Sequence, residues 1–425
     1  MTADDVVTAD DASARMDACH QMLLGLAGRL PDDLMTRCRE QLAEGAVGEV
    51  ARAVAFCVLS QNLPLASTDA AVLAALLAEA GGNDSALAEV EIDDTDPVIW
   101  YFTDVPPGAG DAGTGQAGPQ DVSAAARGEL ELAVAEALTP EPGAIGCWRA
   151  WRIPHDGAPS ASAKPVFVIE VSADTDLAGV TARVQQRLAA AGDASPQVEV
   201  YHRDIELPLY QRMARGYGEL AWAAAEDPGM QLASIFDEVD PQAGPRFSPD
   251  HPRLGEQEAG QVAQYLREGE PVLVTTAQMD DVVDTTREYC VPLNFRTDGL
   301  WIWTEASAYY AQEHHLEPDP ALLAHIRSNH HTVPDVDSVA LHRALAVLQQ
   351  PGDAEPVWTL GPQHGQPGSQ APYDDDESQA FYDDDDGTQA FYDDGGSSQA
   401  AYDPGSSQAT PGVTDGQPLR ISEHE

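Results

Sequence analysis

Lysine is almost absent from this sequence of 425 residues. Lys164 is the single lysine, the other 21 basic residues are arginines, and 71 residues are acidic, so the formal net charge is −49. This charge argues against sequence-independent binding to nucleic acid, because phosphate binding needs a basic surface, and equally against docking on an anionic membrane surface. Lys164 follows Ala163, which excludes a P-loop of the usual form, in which the lysine follows a glycine.

Cysteine and long apolar runs are also scarce. The five cysteines form no Cys-x-x-Cys pair, and an odd number without a disulfide framework favours a reducing cytoplasm. The acidic N-terminus lacks the positive region of a signal peptide. The best apolar run, residues 46–59, is interrupted by Glu49 and Arg52. The sequence therefore predicts a soluble cytoplasmic protein that does not bind to membranes.

The first half of the chain combines helical and extended patterns, which predicts an α+β protein. Residues 1–12 are predicted to be disordered, and 13–92 to form a module of four short helices separated by Pro31, Gly45 and Pro64. Ser67 or Thr68 is expected to cap its last helix. Three cysteines recur every nineteen residues in this module, and we interpret them as small core residues rather than a metal site: Cys19, Cys38 and Cys57.

Residues 93–229 are predicted to form a second α+β domain. Their patterns follow the order β-α-β-β-α-β, which is that of a ferredoxin-like sandwich. A long helix over residues 209–225 is expected to follow the last strand.

Residues 230–350 are predicted to form a compact α+β module around a tryptophan hairpin. The turn signal Asp298-Gly299 separates the strand-like segment 291–295 from Trp301-Ile302-Trp303. Thr304 is expected to cap a helix that begins near Glu305. Further helices are expected over residues 256–267, 320–328 and 338–349, and a strand over 272–276.

The hairpin supplies the candidate binding residues of this module. Trp301 and Trp303 could form a recognition face, with Arg296 and Asp298 as a polar anchor. The alternative, which we favour, is that the tryptophans supply the core that a small sheet otherwise lacks.

The same module holds the weak catalytic candidates, which are Asp280, Asp281 and Asp298. Neighbouring carboxylates can perform acid–base chemistry or hold a hard cation, although such clusters arise by chance in a chain this acidic.

Half of the twelve histidines lie between residues 314 and 342, but no spacing among them enforces a metal site. Residues 108–113 match the dinucleotide fingerprint inside a glycine-rich linker, where a chance match is favoured. The sequence therefore predicts no cofactor and no metal site.

After residue 350 the composition changes to glycine, proline, serine, glutamine and aspartate, which predicts a disordered acidic tail over 351–425. The unit Ser/Thr-Gln-Ala-x-Tyr-Asp recurs in it, and four tyrosines mark the copies: Tyr373, Tyr382, Tyr392 and Tyr402. Residues 369–425 contain fourteen acids and one base, a net charge of −13. Repeated docking motifs and a purely solvating tail remain about equally favoured.

Several short motifs resemble a module found in uncharacterised actinobacterial proteins. They are residues 236–241, 244–247, 250–254 and the segment from Arg296 to Tyr310 with its Thr-Asp-Gly-x-Trp-Ile-Trp core. The resemblance covers residues 234–348 and implies neither an activity nor catalytic residues, although it fits a cytoplasmic protein of a GC-rich bacterium.

Taken together, these patterns favour a non-enzymatic interaction or regulatory protein. Its expected partners are proteins, and the acidic repeat tail is expected to serve as a docking arm for a basic partner. The alternative is a hydrolase-type enzyme that uses the carboxylates of residues 230–350, with or without a metal.

Overall fold

The computed structural model describes residues 9–82, 85–95, 97, 99–106, 124–155 and 163–349. Helices and mixed sheets alternate along these residues, which confirms the predicted α+β class. The tail repeat and the glycine-rich segment 108–113 lie outside the described residues. Within the described residues, no helix is long and apolar enough to cross a membrane.

The N-terminal module consists of four helices: α1 Ala9–Gly25, α2 Asp32–Ala43, α3 Val47–Gln61 and α4 Ser67–Glu79. Helix α1 starts inside the segment 1–12 that we predicted to be disordered, so that boundary was wrong. Pro31 stands immediately before α2, and Gly45 adopts a left-handed φ of 78° between α2 and α3. Helix α4 has no side-chain cap at its start, because the Asp94 carboxylate accepts from the Ser67 N–H at 2.7 Å instead.

A five-stranded sheet occupies the middle of the chain. Its elements in order are β1 Trp100–Thr103, α5 Ala124–Leu138, β2 Ala144–Pro154, β3 Lys164–Val171, α6 Leu177–Ala190, β4 Gln197–His202, α7 Leu209–Tyr217 and β5 Glu219–Ala223. Helices α5 and α6 pack their apolar side chains on one face of the sheet. Helix α7 and Leu24 of α1 cover the other face.

The predicted order β-α-β-β-α-β is present, but the strands are not arranged as in a ferredoxin-like sandwich. The sheet order is β1-β2-β3-β4, with β1 antiparallel to β2 and β3 parallel to β4. In a split β-α-β unit a third strand separates the two strands that the helix joins. Here the strands joined by a helix are direct neighbours. Strands β1 and β5 pair with different parts of β2, β1 with residues 151–154 and β5 with residues 146–149.

The long helix predicted over 209–225 is also wrong, because α7 ends at Tyr217 and the chain continues as β5. Gly218 lies at the break, where an added Cβ would be 2.6 Å from the Ala214 carbonyl oxygen and 2.9 Å from that of Arg149. Only glycine allows this approach between α7 and β2. Strand β5 then pairs with β2 through residues 146–149.

The third region begins with short strands and ends with helices. Its elements are β6 Gln231–Leu232, β7 Glu238–Asp240, β8 Gly244–Arg246, α8 Glu256–Glu268, β9 Glu270–Leu273, β10 Gln278–Met279, β11 Val291–Pro292, β12 Phe295–Thr297, β13 Trp301–Thr304, α9 Glu305–His314, α10 Pro320–Ser328 and α11 Ser338–Gln349. Strands β12 and β13 form the predicted hairpin, and Gly299 adopts a left-handed φ of 90° in its turn. The predicted first strand, residues 291–295, is divided, because Val291–Pro292 pair with β10 and only Phe295 belongs to the hairpin strand β12.

Thr304 occupies the N-cap position of α9 as predicted, but its side chain does not cap the helix. The Glu305 N–H donates to the Asn294 carbonyl oxygen at 2.8 Å, and the buried Thr304 hydroxyl has no partner among the described residues. The tertiary contact therefore replaces the local cap.

The three predicted regions pack against one another. The His20 ring of α1 lies 2.7 Å from the Val200 carbonyl oxygen of β4, so the helical module contacts the sheet. Arg203, which follows β4, forms an ion pair with Asp335 at 3.1 Å and so links the sheet to the third region. The described residues all belong to one compact unit.

Candidate functional site

Asp298 lies in the turn of the β12–β13 hairpin, and its side chain is buried. One carboxylate oxygen accepts the backbone N–H groups of Leu300 and Trp301 at 3.0 and 2.8 Å. The other oxygen lies 2.7 Å from the Tyr265 hydroxyl and 2.9 Å from Nε2 of His325. Four polar groups thus surround this carboxylate, and they join the turn to helices α8 and α10.

Asp281 has the same set of partners at another place in the module. One oxygen accepts the N–H groups of Val283 and Asp284 at 2.8 and 3.1 Å, and the other lies 3.0 Å from the Tyr309 hydroxyl and 2.6 Å from Nε2 of His314. Burial alone would raise the pKa of Asp281, but these hydrogen bonds outweigh it and lower the pKa. The carboxylate is therefore ionised at neutral pH and joins the loop after β10 to α9.

The Asp281 cluster also contains a thiol. Sγ of Cys290 is 3.3 Å from the Tyr309 hydroxyl, which accepts from Nη1 of Arg287 at 2.9 Å. Burial and the contacts with Cys290 and Asp281 raise the pKa of Tyr309, so its hydroxyl remains a neutral donor. A partly exposed cysteine, a tyrosine, a carboxylate and an imidazole consequently meet at one place.

The structure does not bring the three catalytic candidates together. Asp280 is exposed and accepts the Tyr289 N–H at 2.8 Å, while Asp281 and Asp298 bind separate tyrosines and histidines. Within the residues that the structure describes, no group of three or more histidines, cysteines or acids is placed to hold a metal ion.

The binding candidates of the hairpin fall into two environments. Trp303 is fully buried, and its Nε1 donates to the Leu266 carbonyl oxygen at 2.8 Å, so this side chain offers no surface to a partner. Trp301 is half-buried against the same core. Arg296 donates to the Glu305 carboxylate at 2.5 Å and to the Gly269 carbonyl oxygen at 2.7 Å, which ties β12 to α9 and to the end of α8.

The remaining candidates divide between the interior and the part of the chain not described. Burial raises the pKa of Cys19 to about 12 and that of Cys38 to about 11, so these thiols stay protonated and pack as small apolar groups. Four predicted docking tyrosines lie outside the described residues: Tyr373, Tyr382, Tyr392 and Tyr402.

The chain matches no family model, no curated protein and no solved structure. The resemblance of residues 234–348 to actinobacterial proteins therefore stays a prediction.

The roles of Cys290, Tyr309 and His314 were not predicted from the sequence. Tyr309 and His314 are 28 and 33 residues from Asp281, so no local spacing joins them to it. The acidic cluster at 280–284 included Asp281 and the histidine cluster at 314–342 included His314, but neither pattern indicated that these two side chains meet.

Proposed function

We propose that this protein is a non-enzymatic interaction or regulatory protein whose acidic repeat tail docks on a basic protein partner. The observation that carries the proposal is the shared environment of Asp281 and Asp298. Each buried carboxylate accepts from two backbone N–H groups and also contacts a tyrosine hydroxyl and an imidazole.

A carboxylate offers about four acceptor positions. Asp281 uses them to hold its loop against α9, and Asp298 uses them to hold the hairpin turn against α8 and α10, which is a structural task. A general acid or base needs instead an oxygen that can reach a substrate proton. The described carboxylates of the hairpin module thus favour a rigid scaffold over a hydrolytic centre.

The tail supplies the interaction chemistry. Residues 369–425 carry a net charge of −13, and eleven of their fourteen acids directly follow one of the four repeat tyrosines. Long-range attraction to a basic surface speeds encounter, and linked copies of a weak motif bind more tightly than one copy through effective concentration.

Affinity capture with the full chain tests this function. Three baits are compared: the natural chain, a chain in which residues 369–425 are shuffled at constant composition, and a chain in which the acids of this segment are replaced by Asn and Gln. Docking through the repeat predicts basic partners that the natural chain retains and both variants lose. Identical partners for all three baits would reject a docking role for the tail, and loss only from the neutralised chain would assign binding to charge alone.

A hydrolase-type activity is the second candidate, and one observation favours it. Asp281 holds Nε2 of His314 at 2.6 Å, as a carboxylate holds a catalytic imidazole, and Cys290 lies next to Tyr309 in the same cluster. The test is hydrolysis of p-nitrophenyl acetate by the natural chain, His314→Gln and the neighbouring control His315→Asn. Activity lost only in His314→Gln would support an enzyme, and equal rates in all three would reject it.

A further inference from the structure

A cavity of about 300 Å³ lies where the N-terminal helices meet the segment before α7. One wall is a single face of α1 and includes Ala18 and Met22; a second wall is the first turns of α4, with Asp69 and Val72. Pro208, at the N-cap of α7, closes the junction. Junctions between packed units are a common place for small-molecule sites, and this volume is at the lower end of their range.

The charged lining of the cavity has more acid than base. Asp69 and Asp93 face it together with Arg29, so the three side chains carry a net charge of −1. Arg29 donates to the Pro64 carbonyl oxygen, which fixes its guanidinium on one side. Hydrogen bonds from Thr95 lower the pKa of Asp93, and this carboxylate is therefore ionised at neutral pH.

Gly25 sets the position of the Asp69 carboxylate. A Cβ at residue 25 would lie 2.7 Å from Oδ2 of Asp69, so a side chain there would collide with it. The glycine therefore lets the carboxylate reach the wall formed by α1. A carboxylate has about four acceptor positions, so Asp69 can keep its protein contacts and still accept from a ligand.

The apolar part of the lining limits the ligand further. Val72 and Pro208 present hydrocarbon next to the two carboxylates. An inorganic cation would leave that surface uncovered, and an anion would be repelled by the carboxylates. A short aliphatic chain with a cationic end satisfies both parts of the wall.

We propose that this cavity binds a small organic cation, an ammonium or guanidinium group on a short aliphatic body. The cationic group lies beside Asp69, and the hydrocarbon lies on Val72 and Pro208. This site is independent of the tail and of the hairpin module.

Calorimetric titration of the full chain tests the site with three probes of equal length: hexylammonium, hexan-1-ol and hexanoate. About 0.15 M salt suppresses the general attraction of a cation to an acidic protein. We expect hexylammonium to bind at least about tenfold more tightly than the other two, because only it can form a charge-assisted hydrogen bond to a carboxylate. Equal affinity for hexan-1-ol, or no binding of hexylammonium at millimolar concentration, would overturn the proposal.

Three variants locate the binding. Asp69→Asn keeps the shape of the side chain and should weaken hexylammonium at least about tenfold, whereas the matched control Asp250→Asn, at an exposed acid of the third region, should change nothing. Ala18→Leu adds no charge and should abolish binding by filling the cavity. Unchanged affinity in Asp69→Asn, or an equal loss in Asp250→Asn, would show that the attraction is general. If Asp69→Asn fails to fold, as judged by circular dichroism, Ala18→Leu decides by itself.

Discussion

A buried ion pair joins α2 to the central sheet, and its removal gives the sharpest test of how the N-terminal helices are held. Arg39 Nη2 lies 2.6 Å from Oε2 of Glu199 on β4, and the two side chains are 1 % and 0 % exposed. Gln211 of α7 donates to the same oxygen at 2.9 Å. Three elements therefore meet at one carboxylate.

Replacement of Glu199 by Leu should destabilise the protein by about 3–5 kcal/mol, the usual cost of leaving one partner of a buried ion pair without the other. The reason lies in the geometry. Arg39 would keep its charge in the interior without a carboxylate, and Nη1 of Arg39 already has no hydrogen-bond partner among the described residues. Gln211 would keep only its bond to the Leu24 carbonyl oxygen.

The double variant Arg39→Met with Glu199→Leu should recover most of this loss. Both charges are then absent, and apolar side chains of similar length fill the same space, a change that is often neutral or stabilising. The expected coupling between the two positions is several kcal/mol, because each single variant contains the uncompensated charge that the double variant removes.

Urea unfolding followed by tryptophan fluorescence measures the free energy of each variant. The control is the exposed pair Arg37–Asp33 on the same helix, whose side chains are 64 % and 71 % exposed. Its single replacements by Met and Leu should cost about 0.5 kcal/mol or less. The reasoning is refuted if Glu199→Leu costs as little as the Asp33 variant, or if the double variant loses the sum of the two single losses.

Three further predictions concern pH, packing and backbone. Burial lowers the pKa of His20 and His342 to about 4, so as the pH falls these imidazoles are protonated in the unfolded chain before they are protonated in the folded one. The free energy of unfolding should therefore fall between pH 6.5 and pH 4. A free energy of unfolding that does not change over this range would contradict the prediction. Trp303→Ala should cost about 3–5 kcal/mol and lower the melting temperature, whereas a loss below 1 kcal/mol would place the ring outside the core. Gly299→Ala should destabilise the protein by about 1 kcal/mol, because alanine is strained at the left-handed φ of this position. The added Cβ would meet no atom closer than 3.7 Å, so strain is the only expected cost. An unchanged free energy of unfolding in urea would contradict this prediction.

Local pattern predicted the helices well because their signals are local. Helix α10 has the predicted bounds, and α8 extends only one residue beyond its prediction. Apolar residues at a period of 3.6, with a proline or glycine at the start of the helix, are sufficient for such segments. The segment after Tyr217 failed the same reasoning, because its alanines fit a helix by themselves and only the distant edge of β2 makes them a strand.

The strand arrangement depends equally on distant contacts. The pairing of β1 with β2 joins Trp100 to Pro154, and no local pattern distinguishes this pairing from the ferredoxin-like alternative. Chain order limits the possible sheets but leaves several, since a helix between two strands is compatible with neighbouring and with separated strands.

The candidate site shows the same division at the level of side chains. The turn chemistry of Asp298-Gly299 identified the hairpin correctly, and the two backbone hydrogen bonds to Asp298 follow from that turn. Its other partners, Tyr265 and His325, are 33 and 27 residues away and were not predicted. Sequence reasoning therefore finds the carboxylate, and only the packing of α8 and α10 shows that its remaining acceptor positions are occupied.

The distribution of charge bears directly on how the tail must be tested. Outside residues 369–425 the chain still carries a net charge of −36. Three arginines of this part are buried beside carboxylates and so contribute no positive charge to the surface: Arg39, Arg152 and Arg215. A basic partner is therefore attracted by the whole molecule, and the −13 of residues 369–425 is the smaller part of the net charge that it meets. Specific docking must then come from the order of residues in the repeat, which is the one property that shuffling removes while every charge is kept.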